Sequence, residues 1–169
     1  MALITTERLS IRTIATDDAP FILELVNEPE FIKNIADKNI HSIDDAINYI
    51  KTGPQQMYLE HGFALHVVQN KETDDRVGFC GLLKRDFLPA PDIGFAFLQR
   101  HCGKGYAYEA AKAVLDHELN AHQLTKVMAI TALDNPASQA LLVKLGFVFQ
   151  QQLHIDGYDG DSNVYIYNR

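Results

Sequence analysis

Two glycines flank one lysine in Leu98-Gln99-Arg100-His101-Cys102-Gly103-Lys104-Gly105-Tyr106-Ala107. The stretch lies where a strand-like run hands over to a helix-like run. Backbone N–H groups converge at such a junction, and glycine lets an anion approach closely. The residues therefore read as a cradle for a phosphorylated ligand or cofactor. Two well-known phosphate motifs are excluded. The stretch is too short for GxxxxGK[ST], and Tyr106-Ala107-Tyr108 after Gly105 does not complete GxGxxG. A kinase or nicotinamide dehydrogenase is thus disfavoured. Taken alone, Gly103-Lys104-Gly105 is equally a tight turn that uses glycine's tolerance of positive φ.

A second constellation is Asp134-Asn135-Pro136-Ala137-Ser138. Asn135 is placed as a helix cap, with Pro136 at the first helical position and Ser138 one turn further. A strand–GxG–helix unit followed by a strand–Asn-Pro–helix unit brings two helix N-termini to neighbouring strand ends. Crevices of that kind are the usual ligand positions in α/β sheets. The other titratable residues are less patterned. Cys80 and Cys102 form no CxxC pair and read as reduced thiols. The seven histidines are scattered, and no metal site is expected.

The elements that must hold these residues are legible from periodicity. Residues 8–12 alternate as a strand, and Thr16-Asp17-Asp18 opens a short helix with Thr16 as its cap. Ser42 caps the next helix, which Gly53-Pro54 should break or kink. Residues 63–69 and 77–83 read as a hairpin, and Asp92 to Leu98 as a third central strand. A helix over 105–119, a strand over 126–132 and a helix ending at Gly146 follow. Two strands, roughly 147–155 and 162–168, close the chain. The order predicts a single α/β domain over residues 1–169, with a mixed sheet flanked by helices rather than a regular βα repeat.

Composition narrows the function classes. The 22 acidic and 15 basic side chains leave a formal charge of -7, which disfavours a nonspecific nucleic-acid binder. No stretch is apolar enough for a membrane span and the N-terminus has no leader-like pattern, so a cytoplasmic protein is expected. An apolar fraction of 47% suits one well-filled core.

The chain resembles the GNAT superfamily of acetyl-coenzyme A dependent N-acetyltransferases. Arg100-x-x-Gly103-x-Gly105 matches that superfamily's Gln/Arg-x-x-Gly-x-Gly/Ala pyrophosphate loop. Asp92-Ile93-Gly94-Phe95 through Tyr108-Glu109-Ala110 is similar to the branch of bacterial ribosomal-protein N-terminal acetyltransferases. Thr6-Glu7-Arg8-Leu9-Ser10-Ile11-Arg12 matches that branch's opening strand. Asn135-Pro136-Ala137-Ser138, with Lys144-Leu145-Gly146-Phe147, matches its second signature.

The resemblance implies a GNAT-like sheet in which strand 92–98 splays from strand 126–132 to admit the cofactor's pantetheine arm. It implies acetyl-coenzyme A as cosubstrate, with its pyrophosphate over the N–H groups from Arg100 through Cys102, Gly103, Lys104, Gly105 and Tyr106 to Ala107. Backbone groups of Phe97 and Leu98 would bond the arm and polarise the acetyl carbonyl. Arg100 would add donors or form a structural ion pair; Lys104 would add charge or simply solvate the loop. Asn135 would cap its helix or touch the cofactor arm. Ser138 would protonate the departing thiolate, or be a plain surface hydroxyl. No tyrosine stands at positions 139–143, where many relatives carry one, which favours Ser138 or solvent as the acid.

Asp92 is the expected end of a proton relay or an acid that binds the acceptor; the alternative is a solvated turn residue. His66 would be a cleft-facing proton carrier, or a core or surface histidine. The implied reaction is direct attack of a neutral amine on the thioester through a tetrahedral intermediate. The acceptor is a small primary amine or a protein N-terminal α-amine; Asp86, Asp92, Asp156, Asp159 and Asp161 would form an acidic rim that draws it, or are equally solvated loop surface. The alternative function is a non-catalytic coenzyme A-binding or sensor module. Monomer and homodimer both fit the sequence.

Overall fold

Leu9 and Ile11 alternate with polar neighbours, and both are fully buried in strand β2 (Leu9–Thr13). In a computed structural model describing residues 1–169, β2 pairs on one side with β1 (Ile4–Thr5), which the periodicity does not reveal. On its other side lies β3 (Leu65–Asn70), whose hairpin partner is β4 (Arg76–Leu83). β5 (Asp92–Phe97) pairs antiparallel with β4. β6 (Lys126–Ala132), β7 (Val148–His154) and β8 (Asp161–Asn168) complete an eight-stranded sheet of order β1-β2-β3-β4-β5-β6-β8-β7.

The one parallel neighbour pair is β5–β6. It holds a single registered partner pair, Asp92↔Met128, beyond which the strands separate. The expected splay is therefore present. Loss of the ladder leaves β5 backbone groups facing an opening rather than a neighbouring strand.

Helices cover both faces. Ala110, Ala111, Val114 and Leu115 of α5 (Tyr106–Ala121) pack on the sheet beside Leu9, Ile11 and Leu82. Their small side chains let the helix lie close to the strands. On the other face, α1 (Ala19–Val26) and α3 (Ile43–Ile50) bury Ile22, Leu25 and Ile50 against Val67 and Phe79. Between them runs α2 (Pro29–Asn34). No helix is long and apolar enough to cross a membrane.

Several helix signals act as expected. Ser42 Oγ accepts the Asp45 amide at 3.1 Å, and Asn135 Oδ1 accepts the Ser138 amide at 3.3 Å at the start of α6 (Pro136–Leu145). Two differ. Thr16 caps nothing: residues 16–18 form a 3-10 turn, and Asp18 instead accepts the Ala15 amide at 2.9 Å. Asp18 is pinned there by a two-pronged contact with Arg12, both prongs 2.8 Å, so tertiary pairing overrides the local cap. Gly53-Pro54 does not break the chain's helical path. It is absorbed in a π turn over Lys51–Gln55 that runs on into α4 (Gln56–His61). The wider turn accommodates the hydrogen bond that proline cannot donate.

Candidate active site

The cradle begins where β5 ends. Residues Gln99–His101 make one 3-10 turn, and Gly103 and Gly105 follow with φ of 77° and 81°. That left-handed backbone suits glycine and aims successive amides the same way. The amides of Gly103, Lys104, Gly105, Tyr106 and Ala107 donate to no protein acceptor. Open space stands over Gly103, where an added Cβ would meet nothing within 4 Å. Five free donors at the N-terminus of a 16-residue helix fit a pyrophosphate. The donor set is shorter than expected, because the His101 and Cys102 amides bond back to Leu98 and Gln99.

The loop is braced by residues that sequence reasoning did not single out for that role. Glu109 accepts from Thr6 Oγ1 at 2.7 Å, the Arg8 amide at 2.9 Å and Arg8 Nε at 2.7 Å. Arg8 Nη1 also donates to the Lys104 carbonyl at 2.8 Å, and the guanidinium lies 4.7 Å from the Tyr106 ring centre. The Thr6-Glu7-Arg8 signature thus ties the first strands to the start of α5. Its match to the resembling branch's opening strand is the one signal that pointed there.

At side-chain level the structure decides between the alternatives left open at Arg100 and Lys104. Arg100 pairs with Glu24 across the surface and does not line the cleft, which selects its ion-pair alternative. Lys104 is exposed and contributes its carbonyl to Arg8. The Tyr106 ring turns away to take a hydrogen bond from Asn70 Nδ2 at 2.9 Å, leaving only its amide in the cradle. Cys102 sits at the cleft edge. Burial, with Glu28 nearby, raises its pKa, so it stays a thiol and is poorly primed as a nucleophile.

Strand parity corrects the place given to Leu98. The Leu98 amide donates to the Val77 carbonyl at 2.9 Å, and its carbonyl accepts the His101 amide at 2.8 Å. Leu98 is fully buried, and its backbone is already engaged on the β4 side. Successive strand amides point to opposite edges, so Phe95 and Phe97 present theirs to the splayed β6 side. Phe97, with Phe95 rather than Leu98 as its companion, has its amide on the open edge of β5.

A single cleft of about 1350 Å³ runs from Gly105 and Ala107 past Phe95 and Phe97 to Asn135, Ser138 and Asp92. Asn135 Nδ2 donates to Ser138 Oγ at 3.0 Å, so this hydroxyl is held from behind and its own proton is free. At the far end Asp92 is 1% exposed, which removes the solvated-turn alternative and takes it out of any acidic rim. Arg85 Nε stands 3.1 Å from both Asp92 carboxylate oxygens, and Arg85 Nη1 donates to the Tyr158 hydroxyl. Burial pushes the Asp92 pKa up to about 6, against the opposing pull of Arg85. Of the other rim acids, only Asp159 and Asp161 line the cleft.

His66 is not in the site. It is 1% exposed on the α5 face, its Nε2 3.7 Å from Glu118, and it lies outside the cleft lining. This selects its core alternative and removes it from the proton route.

Comparison with known proteins agrees with this geometry. The acetyltransferase (GNAT) domain family matches residues 8–148. The uncharacterized N-acetyltransferase YoaA of Bacillus subtilis (strain 168) is 29% identical over 169 residues, covering 96% of this chain and 94% of the relative. Among solved structures, an acetyltransferase from Agrobacterium tumefaciens superposes with a TM-score of 0.83 at 21% identity, over 98% of this chain and 94% of that one. RimL, a ribosomal L7/L12 alpha-N-protein acetyltransferase solved with coenzyme A, gives 0.85 at 14% identity, over 99% and 98%. At these identities the two structures speak for the fold. The family match itself spans the cradle, the splayed strands and α6, and the chain belongs to the acetyltransferase (GNAT) domain family of acetyl-coenzyme A dependent acyltransferases.

Proposed function

We propose that this protein transfers an acetyl group from acetyl-coenzyme A directly to a primary amine. The observation that carries the reading is the continuity of one cleft from the amide cradle to the Ser138 hydroxyl and the Asp92 carboxylate. When bound, the cosubstrate supplies an activated acyl carbon and a thiolate leaving group. The residues here then have four tasks.

The amides from Gly103 to Ala107 hold the pyrophosphate, and the α5 dipole favours its charge. The backbone of Phe95 and Phe97 bonds the pantetheine arm along the unpaired edge of β5, with an N–H available to polarise the acetyl carbonyl. Ser138, held by Asn135, delivers its proton to the departing sulfur. Asp92 takes up the proton that the acceptor amine loses, directly or through water. Its raised pKa of about 6 makes it an anion at neutral pH but a stronger base than an ordinary carboxylate.

The acceptor class is argued from the same end of the cleft. An amine must be neutral to attack, and Asp92 is the buried base beside the splayed strands. A protein N-terminal α-amine is what the name of RimL states for that protein; for this chain it rests on the sequence signatures of residues 6–12 and 135–147. The test incubates the protein with acetyl-coenzyme A and a panel of small amines and short peptides, following free thiol. Amine-dependent thiol release supports the reading. Coenzyme A binding with no release under any amine contradicts it and supports a non-catalytic binding module.

A further inference from the structure

At the acceptor end of the cleft one guanidinium keeps donors that no protein group uses, and one ammonium stands without a carboxylate of its own. Arg85 comes from the loop after β4, and its side chain is 23% exposed. Its Nε is engaged by Asp92 and its Nη1 by Tyr158, but its Nη2 has no protein acceptor. A guanidinium has five N–H donors in a fixed fork, so the Nη2 edge keeps its donors without a protein acceptor in a side chain that lines the cleft. Lys38, from the segment after α2, lines the same cleft, and no carboxylate lies within 4 Å of its ammonium. Lys38 is exposed at the rim of the cleft; partial desolvation and then the charge of Arg85 lower the pKa of its ammonium.

Asp92 is the buried acid here and is paired with Arg85, while Asp37 lines the cleft as an exposed residue. Asp161 leans toward His154 at 3.4 Å, and Asp159 is exposed at the mouth. An anion between Arg85 and Lys38 would relieve the repulsion of the two like charges and take up donors that now have no protein partner.

We propose that Arg85 and Lys38 form a subsite for an anionic group on the acceptor, so that the substrate is a small primary amine that also carries a carboxylate or a phosphate. Tyr158 and Asp92 fix the guanidinium from two sides, which presents the open edge of the fork at a constant angle. A planar fork of this kind pairs with either oxyanion through two parallel hydrogen bonds. The subsite separates the acceptor's two ends: the amine goes to Asp92, and the opposite end to the cations. This inference rests on the acetyl-transfer reading for its catalytic consequence, though anion binding can be measured without it.

The experiment compares matched acceptors in the full-length protein. β-Alanine is set against its amide, and phosphoethanolamine against 2-methoxyethylamine, each with acetyl-coenzyme A. The wild type is expected to favour the anionic member of at least one pair by about tenfold or more in kcat/KM, as charge-assisted hydrogen bonds allow. The pair that responds identifies the anion. Lys38→Met and Arg85→Lys should each reduce that ratio severalfold, with the change in KM rather than kcat for Lys38→Met. A wild-type ratio near one in both pairs overturns the proposal, and so does a high ratio that neither variant alters. If no amine is acetylated, the acetyl-transfer reading fails and titration decides the subsite. Binding of N-acetyl-β-alanine or inorganic phosphate that weakens about tenfold in Lys38→Met supports it, and no binding of either overturns it.

Discussion

Asn135 and Ser138 exchange two hydrogen bonds: the Asn135 Nδ2 donates to Ser138 Oγ at 3.0 Å, and the Ser138 amide donates to Asn135 Oδ1 at 3.3 Å. The second bond is an ordinary helix cap. It also orients the amide so that its NH₂ meets the serine oxygen, and this leaves the serine proton free to be donated. One residue therefore starts α6 and orients the hydroxyl proposed as the acid. Ser138→Ala should keep the fold and coenzyme A affinity while lowering kcat on the order of 100-fold when chemistry is rate-limiting. Asn135→Ala should lower kcat as well and destabilise the protein by about 1 kcal/mol. Single-turnover rates and thermal unfolding separate the two effects. An unchanged single-turnover rate in Ser138→Ala would remove it from the acid role.

The brace under the cradle predicts a binding defect at a distance. Glu109 accepts three hydrogen bonds from Thr6 and Arg8, and Arg8 reaches the Lys104 carbonyl. Glu109→Ala should loosen the Gly103–Gly105 backbone without removing one cradle donor. Coenzyme A affinity should fall roughly tenfold, the scale of a lost charge-assisted hydrogen bond. Titration calorimetry on the folded variant gives the answer, and an unaltered Kd would show that the loop holds its shape unaided.

Asp92 should leave its mark on the pH–rate profile. Its pKa is about 6 in the folded protein, and an aliphatic acceptor amine loses its proton well above neutrality. Both must be deprotonated for attack. The logarithm of kcat/KM should therefore rise with a slope near two below about pH 6 and near one above it. Asp92→Asn should show a slope near one throughout, with lower rates that recover partly at high pH. A parent profile without the steeper acid limb would exclude Asp92 as the base.

Asp18 governs stability in acid rather than activity. Burial alone would raise its pKa, but hydrogen bonds from Arg12, Arg76 and the Ala15 amide hold it at about 2. Its ordinary value is 3.8. A depressed carboxylate stabilises the fold above the unfolded value, and that contribution is lost as pH falls through the folded value. The protein should lose stability progressively between about pH 4 and about pH 2. Asp18→Asn should cost about 3 kcal/mol at neutral pH and flatten that acid decline. Denaturant melts across this range provide the measurement, and a variant melting like its parent would contradict the assignment.

What was legible in the sequence was local. The glycine pair and the Asn135-Pro136 start lie within single stretches of chain, where spacing fixes geometry. Asp92 was found by its position on the strand, but not its burial or its partner. Arg85 and Tyr158 are 73 positions apart, and Lys38 comes from a third segment. None of the three belongs to a motif, so their convergence needed the fold. Leu98 was misassigned because a continuous apolar run conceals strand parity, which the Val77 hydrogen bond reveals. His66 was ambiguous for the same reason: its strand is buried on both faces, so alternation gave no direction.

The central claim is direct acetyl transfer from cosubstrate to amine within one cleft. Acetyl-coenzyme A labelled with deuterium in its acetyl group tests it, with the amine product and the intact protein followed together by mass spectrometry and the free thiol counted. The account predicts one labelled acetyl group on the amine for each thiol released, and no labelled group on the protein. Thiol release without acetylated amine, or a label that resides on the protein before it reaches the amine, would contradict it.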